Sequence, residues 1–222
     1  MEKDLILEKT REFVKNELHG ESTGHDWWHV YRVWKTALKI GQEEGADPFI
    51  VQLAALLHDI DDWKMHKGDQ DIGPRKIREF LESLGVDESV VSDVVEIVST
   101  MSFKSPTTVS KMKTNEGMVV QDADRLDALG AIGITRCFAG GQKFGQVIHD
   151  PEIKPQLNMS TADYKKQYTG ERKNTSVNHF YEKLFLLKDQ MNTKTGKKIA
   201  EQRHKFMEIF LEKFYKEWEG KE

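Results

Sequence analysis

Apolar residues recur along this chain at the three-to-four spacing of amphipathic helices, and no segment alternates with the period of two expected of a strand. Ile50, Leu53, Ala54 and Leu57 follow Asp47-Pro48, which reads as an N-cap and then a proline at the first helical position. A helix is therefore predicted from Pro48 to about Asp59. Asp87 similarly precedes Val90, Val91, Val94 and Val98 on one helical face. Near the C-terminus Phe206, Phe210, Phe214 and Trp218 recur every four residues, with Glu201→Lys205, Glu212→Lys216 and Glu217→Lys221 spaced to pair on the surface. No proline follows Pro155, so two long C-terminal helices are predicted, from about Ser176 and about Thr195. Two stretches lack the helical period. Residues 102–117 are polar, with Lys104, Lys111 and Lys113 against Glu116, and residues 140–175 are rich in glycine and proline at their start. The pattern predicts one compact all-α domain over 1–222, with one long irregular loop at about 140–175 and helices over about 176–220.

Composition narrows the function classes. The 222 residues are 38% hydrophobic and 32% charged, and 11 Phe, 5 Trp and 5 Tyr supply ample material for a core, which argues against disorder. The longest uninterrupted apolar stretch, Leu53 to Leu57, is far short of a membrane span. Met-Glu-Lys-Asp at the start lacks the basic-then-apolar order of a secretory signal, so a cytoplasmic globular protein is expected. Cys137 is the only cysteine, which excludes a disulfide framework and any multi-cysteine zinc or iron–sulfur site. With 33 basic and 37 acidic residues the formal charge is −4, the wrong balance for a generic nucleic-acid binder.

Three polar groupings interrupt apolar helical contexts. His25-Asp26-Trp27-Trp28-His29 opens a helix continuing through Val30, Val33 and Ala37. His58-Asp59 ends the helix begun at Pro48, and Asp122-Ala123-Asp124-Arg125-Leu126-Asp127 lies between Met118-Val119-Val120 and Leu129-Gly130-Ala131. Burying so many ionisable groups without partners costs several kcal/mol each, and a shared cation offsets that cost. Adjacent helical residues point about 100° apart, so His58 and Asp59 reach one ion only near a helix end. Two imidazoles and two carboxylates form a mixed N/O site suited to Mn²⁺, Fe²⁺, Ni²⁺, Mg²⁺ or Zn²⁺.

His29, then His58-Asp59, then Asp124 resembles the H…HD…D signature of the HD-domain metal-dependent phosphohydrolases. The blocks Gly24 to Val33, His58 to Lys64, Gln121 to Gly133 and Asn178 to Leu184 resemble small stand-alone bacterial members of the YpgQ type. The resemblance runs from about residue 22 to the C-terminus. It implies an all-helical fold, one divalent metal, best Mn²⁺, held by His29, His58, Asp59 and Asp124, and hydrolysis of a phosphate ester or anhydride. For this subgroup it implies nucleoside triphosphate pyrophosphohydrolysis, giving a monophosphate and pyrophosphate. Asp124 is carried over rather than Asp122 because the family's metal aspartate stands in an Ala-Asp-x pattern. Asp62 matches an acidic position that orients or deprotonates the attacking water in related hydrolases. Met101 stands where some relatives carry a histidine before a Ser-Phe pair, which favours one metal over two.

Around that core, His25 is read as an acid for the leaving group or a phosphate contact, with orientation of His29 as the alternative. Lys64, His66, Arg125 and Arg32 are the candidate phosphate ligands, against a solvated loop for the first two and structural ion pairs for the arginines. Trp27, Trp28 and Trp34 read as core rather than a stacking platform, and Tyr164 and Tyr168 as better stacking candidates. The partner expected is a small phosphorylated nucleotide. The Phe/Trp stripe reads as core, with a homodimer seam as its alternative. The competing functions are a nucleotide phosphomonoesterase, an alarmone-type hydrolase, a di-iron oxygenase and a non-catalytic nucleotide-binding regulator.

Overall fold

The most apolar helix, α3 (Pro48–Leu57), is buried almost all round: Phe49, Val51, Leu53, Ala54, Ala55, Leu56 and Leu57 are inaccessible, as expected of a helix at the centre of a bundle. The computed structural model describes residues 2–20, 24–60, 72–101, 110, 112–166 and 172–221. Asp47 caps α3 as its sequence predicts, its Oδ1 accepting from Phe49 N at 2.7 Å and Ile50 N at 3.3 Å. Around α3 pack α1 (Lys3–Glu17), α2 (Trp27–Glu44) and α5 (Glu88–Thr100), and α4 (Ile72–Ser83) packs on α5. Val91, Val94, Ile97 and Val98 form the buried stripe of α5. Asp87 does stand at its N-cap, but its carboxylate accepts no cap hydrogen bond. Helix α6 (Asn115–Asp127) begins inside the polar stretch.

The described residues up to Ala123 form one compact unit, and those from Asp124 onward form a second. In the second, α7 (Gly130–Lys143), the short α8 (Thr161–Lys166), α9 (Ser176–Glu182), the 3₁₀ helix η1 (Leu184–Gln190) and α10 (Lys194–Trp218) follow in order. Helix α10 packs on α7 and η1. No strand occurs among the described residues, where Val147 and Thr175 make an isolated parallel bridge.

The two C-terminal helices differ from expectation. Only α10 is long, at 25 residues; α9 stops after 7. Lys183 leaves helical geometry at φ −139°, ψ −58°, and the tighter 3₁₀ turn then brings Leu184 and Leu187, three apart, to one buried face. The Phe/Trp stripe is also rotated from its predicted place. The buried face of α10 is Ala200, His204, Met207 and Leu211, while Phe206 is 49% and Trp218 46% exposed.

Much of the predicted irregular loop is stitched down. Ser176 N donates to the Val147 carbonyl at 3.0 Å, Val177 N to Ile148 O at 3.1 Å, and Asn178 Nδ2 to Ile153 O at 2.8 Å. Tyr164, expected as a stacking residue, is instead buried; Tyr168 lies outside the described residues. Burial, followed by the charges of Lys183 and Arg172, pushes the His179 imidazole down to about 3. Its unfolded value is near 6.5, so below that pH the unfolded chain takes up a proton that the folded chain refuses. Stability is therefore full above about pH 6.5 and drains as pH falls toward 3. Urea denaturation at pH 7 and pH 4 is expected to show a loss of about 2 kcal/mol from this group, discounted for its partial exposure, and His179→Gln to show a smaller difference between the two pH values.

Candidate metal centre

Two helix ends of the first unit deliver the site. Asp26 caps α2, its Oδ1 accepting from His29 N at 2.9 Å, which fixes the helix start and sets His25 and His29 one turn apart. His58 is the C-cap of α3, and Asp59 lies in the turn just beyond, where Ile60 N bonds Leu57 O at 3.1 Å. The two residues can converge because they sit at the terminus, as their 100° offset requires.

Three imidazoles gather on one carboxylate oxygen. Asp59 Oδ2 lies 2.7 Å from His25 Nδ1, 3.2 Å from His29 Nε2 and 3.5 Å from His58 Nε2. The ligand atoms of His25, His29 and Asp59 all fall within 4.8 Å of one another. Burial alone would raise the Asp59 carboxyl, but the neighbouring His58 and His25 and the hydrogen bonds from His25 and His29 outweigh it and hold Asp59 well below the usual carboxylate range. An ionised Asp59 only accepts, so His25 Nδ1 is the donor in the 2.7 Å bond. His58 Nδ1 donates to the Ala55 carbonyl at 2.9 Å, which leaves its Nε2 lone pair aimed at His29 Nε2, 3.1 Å away. A backbone carbonyl thus fixes the tautomer that metal ligation needs. Neutral nitrogen and carboxylate oxygen donors of this kind fit a borderline divalent ion.

Helix α6 carries the third motif. From Val119 to Asp127 every residue is buried except the half-buried Asp124. Asp122 is fully buried, and Asp127 is buried against Arg136 Nη1 at 2.8 Å. Arg125, expected at phosphate, is buried, and its Nη1 donates to the Gln190 carbonyl of η1. Arg32 is half-buried one turn after His29. Asp62, Lys64 and His66 lie outside the described residues. Sequence reasoning passed over two positioning groups: Asp26, whose place before an apolar-periodic run is an N-cap signal, and the Ala55 carbonyl, which no side-chain pattern discloses.

The model of the HD domain matches residues 27–129. Over 214 residues the chain is 37% identical to Bacillus subtilis YpgQ, covering 96% of this chain and 94% of that protein. The chain belongs to the HD-domain metal-dependent phosphohydrolases. A crystal structure of YpgQ in complex with ADP superposes with a TM-score of 0.73 at 34% identity, covering 95% of this chain and 97% of that one. An HD-superfamily hydrolase from Bacillus thuringiensis gives 0.76 at 42% identity, covering 98% and 99%, and a Lactobacillus plantarum protein gives 0.82 at 34%, covering 98% of each. A His/Asp cluster able to hold a metal ion is typical of this superfamily, and the chain is a metal-dependent phosphohydrolase. Among the described residues no helix is long and apolar enough to cross a membrane.

Proposed function

We propose that this phosphohydrolase is a nucleoside triphosphate pyrophosphohydrolase using one Mn²⁺ ion, with His29, His58, Asp59 and Asp124 as ligands. The observation that carries the metal reading is the convergence of His25, His29 and His58 on Asp59 Oδ2, with the His58 lone pair already oriented. The nucleotide reading rests on the likeness to YpgQ, which was crystallised with ADP. Such substrates place the enzyme in the cytoplasm.

A divalent ion held there supplies Lewis acidity at a phosphoryl oxygen and makes water acidic enough to attack near neutral pH. The side chains divide the remaining work. Asp59, kept ionised, supplies charge and anchors the His25 ring. The side chain of His25 is 36% exposed, and the ring nitrogen not bonded to Asp59 can pass a proton to the leaving pyrophosphate oxygen. Asp62 orients and deprotonates the incoming water. Lys64 and His66, aided by Arg32, balance the charge of the β and γ phosphates, which attack at the α-phosphorus leaves as the departing group.

Metal-stripped protein reloaded with Mn²⁺ is expected to release pyrophosphate from nucleoside triphosphates. His25→Gln is expected to lower kcat by about 10²-fold with little change in KM, as for loss of a general acid. Phosphate release alone would move the assignment to a monoesterase or alarmone hydrolase. Two bound irons would point to an oxygenase, and bound metal with no turnover to a regulator.

A further inference from the structure

Helix α1 buries Ile6, Thr10 and Val14, four residues apart, and turns the opposite face outward. That outer face carries Glu8, Arg11, Glu12 and Lys15, and it forms one wall of an open groove of about 490 Å³. The other wall is aromatic: Trp27, Trp28, Tyr31 and Trp34 of α2. Trp27, Tyr31 and Trp34 recur at i, i+4 and i+7, on the side of α2 away from the buried row His29, Val33, Ala37 and Ile40. The groove therefore does not face the metal centre and is not a base subsite for the reacting nucleotide.

The four rings divide by what touches them. Trp34 is tied into the fold: its Nε1 donates to Gln52 Oε1 at 3.2 Å, and Arg11 and Lys35 lie 5.6 and 5.5 Å from its ring centroid. Trp27 carries Lys15 at 4.9 Å. No cation of a described residue sits over Trp28 or Tyr31, whose rings meet edge to face with centroids 5.8 Å apart. Trp28, expected in the core, is 61% exposed, and Tyr31 37%. An indole is among the most profitable side chains to bury, and this one is left in water. None of the three cations, nor Glu8 or Glu12, makes an ion pair with a described residue. Three cations thus stand against two carboxylates, a local excess of positive charge in a chain whose formal charge is −4.

We infer that this groove is a second nucleotide site, separate from the metal centre, and that it takes a nucleoside monophosphate. The base lies on the Trp28 indole with Tyr31 at its edge. Arg11 and Lys15, held over neighbouring indoles, donate charge-assisted hydrogen bonds to the phosphate, and Glu8 and Glu12, which only accept, take the ribose hydroxyls. The two carboxylates repel a longer polyphosphate, which limits the ligand to one phosphoryl group. The positive excess disfavours an organic cation, which the rings alone would suit. The volume is that of an ordinary small-molecule site. No groove residue takes part in the pyrophosphohydrolase reaction proposed above, so the inference does not rest on it.

Equilibrium dialysis of the full chain in EDTA at low salt, against AMP, adenosine and ribose 5-phosphate, tests the inference with Trp28→Ala and Lys15→Gln. Both side chains are exposed, and circular dichroism checks that each variant folds. Wild type is expected to bind AMP, with adenosine and ribose 5-phosphate each at least about tenfold weaker. Trp28→Ala is expected to weaken AMP at least about tenfold, as loss of a base–aromatic stack does. Lys15→Gln is expected to weaken AMP several-fold and to leave adenosine unchanged. With Mn²⁺ restored, Trp28→Ala is expected to keep the wild-type kcat/KM. No AMP bound by wild type at ~1 mM, equal AMP binding by Trp28→Ala, or adenosine bound as tightly as AMP would each overturn the inference. So would a kcat/KM that falls in step with AMP affinity, by moving Trp28 into the catalytic site. Failure of the Mn²⁺-loaded protein to turn over nucleoside triphosphates would overturn the proposed reaction alone, since the dialysis is read without metal.

Discussion

Asp59→Asn is expected to abolish metal-dependent turnover, lowering kcat/KM by at least about a thousandfold, roughly 4 kcal/mol of transition-state stabilisation. The substitution keeps the shape and removes the charge. Asp59 lies beside the rings of His25, His29 and His58, and their combined influence holds it ionised despite its burial. An amide there removes an anionic donor from beside the three imidazoles, and it offers His25 only a neutral, weaker acceptor in place of the carboxylate that holds its ring at 2.7 Å. Bound metal after gel filtration, measured by mass spectrometry, is expected to fall below one-tenth of the wild-type content, with the helical circular dichroism spectrum retained. Full metal occupancy and turnover in this variant would remove Asp59 from the ligand set.

Glu182→Ala is expected to produce the largest loss of stability, about 3–5 kcal/mol, or roughly 10 °C in Tm for a chain of this size. Glu182 is 1% exposed and serves three donors: Arg172, Asn174 Nδ2 at 2.9 Å and Gln156 N at 2.8 Å. Removing the carboxylate leaves a largely buried guanidinium and two further donors without their acceptor, and that cost exceeds whatever the intact ion pair contributed. It also cuts ties between α9 and the irregular segment before it. Glu182→Gln retains a carbonyl acceptor and is expected to lose less than half as much. Thermal unfolding followed at 222 nm compares the two; equal losses would mean that charge, not satisfaction of the donors, governs this site.

The helical architecture was legible because its signals are local. Asp47-Pro48 and the apolar spacing after it specify where α3 starts and which residues it buries, and His58-Asp59 falls at its end for the same reason. The break at Lys183 had no such signal. Nothing in Asn178 to Leu184 forbids a continuing helix, and the chain turns into η1 where Leu184 and Leu187 find a buried face. The rotation of α10 has a similar origin: a stripe at strict four-residue spacing drifts round a 3.6-residue helix, so Phe206 and Trp218 are carried out of the face that Met207 and Leu211 occupy.

The candidate site was legible as residue types and order, and less so as geometry. His29, His58 and Asp59 stand together as their motifs imply, and the structure adds His25 at hydrogen-bonding distance from Asp59. The tautomer of His58 depends on the carbonyl of Ala55, and its orientation on where α3 happens to end, neither of which is written in a side chain. Trp28 shows the opposite failure. Aromatic residues at helical spacing usually mark a core, and here they line an open groove because α1 presents charge rather than apolar surface beside them.

The most direct test of the central claim is the fate of the attacking water's oxygen. Turnover of a nucleoside triphosphate by the Mn²⁺-loaded enzyme in ¹⁸O-water, with products separated and weighed by mass spectrometry, reports which phosphorus is attacked. Pyrophosphohydrolysis at the α-phosphorus predicts one ¹⁸O in the nucleoside monophosphate and none in the pyrophosphate. Label appearing in inorganic phosphate, beside an unlabelled nucleoside diphosphate, would contradict it.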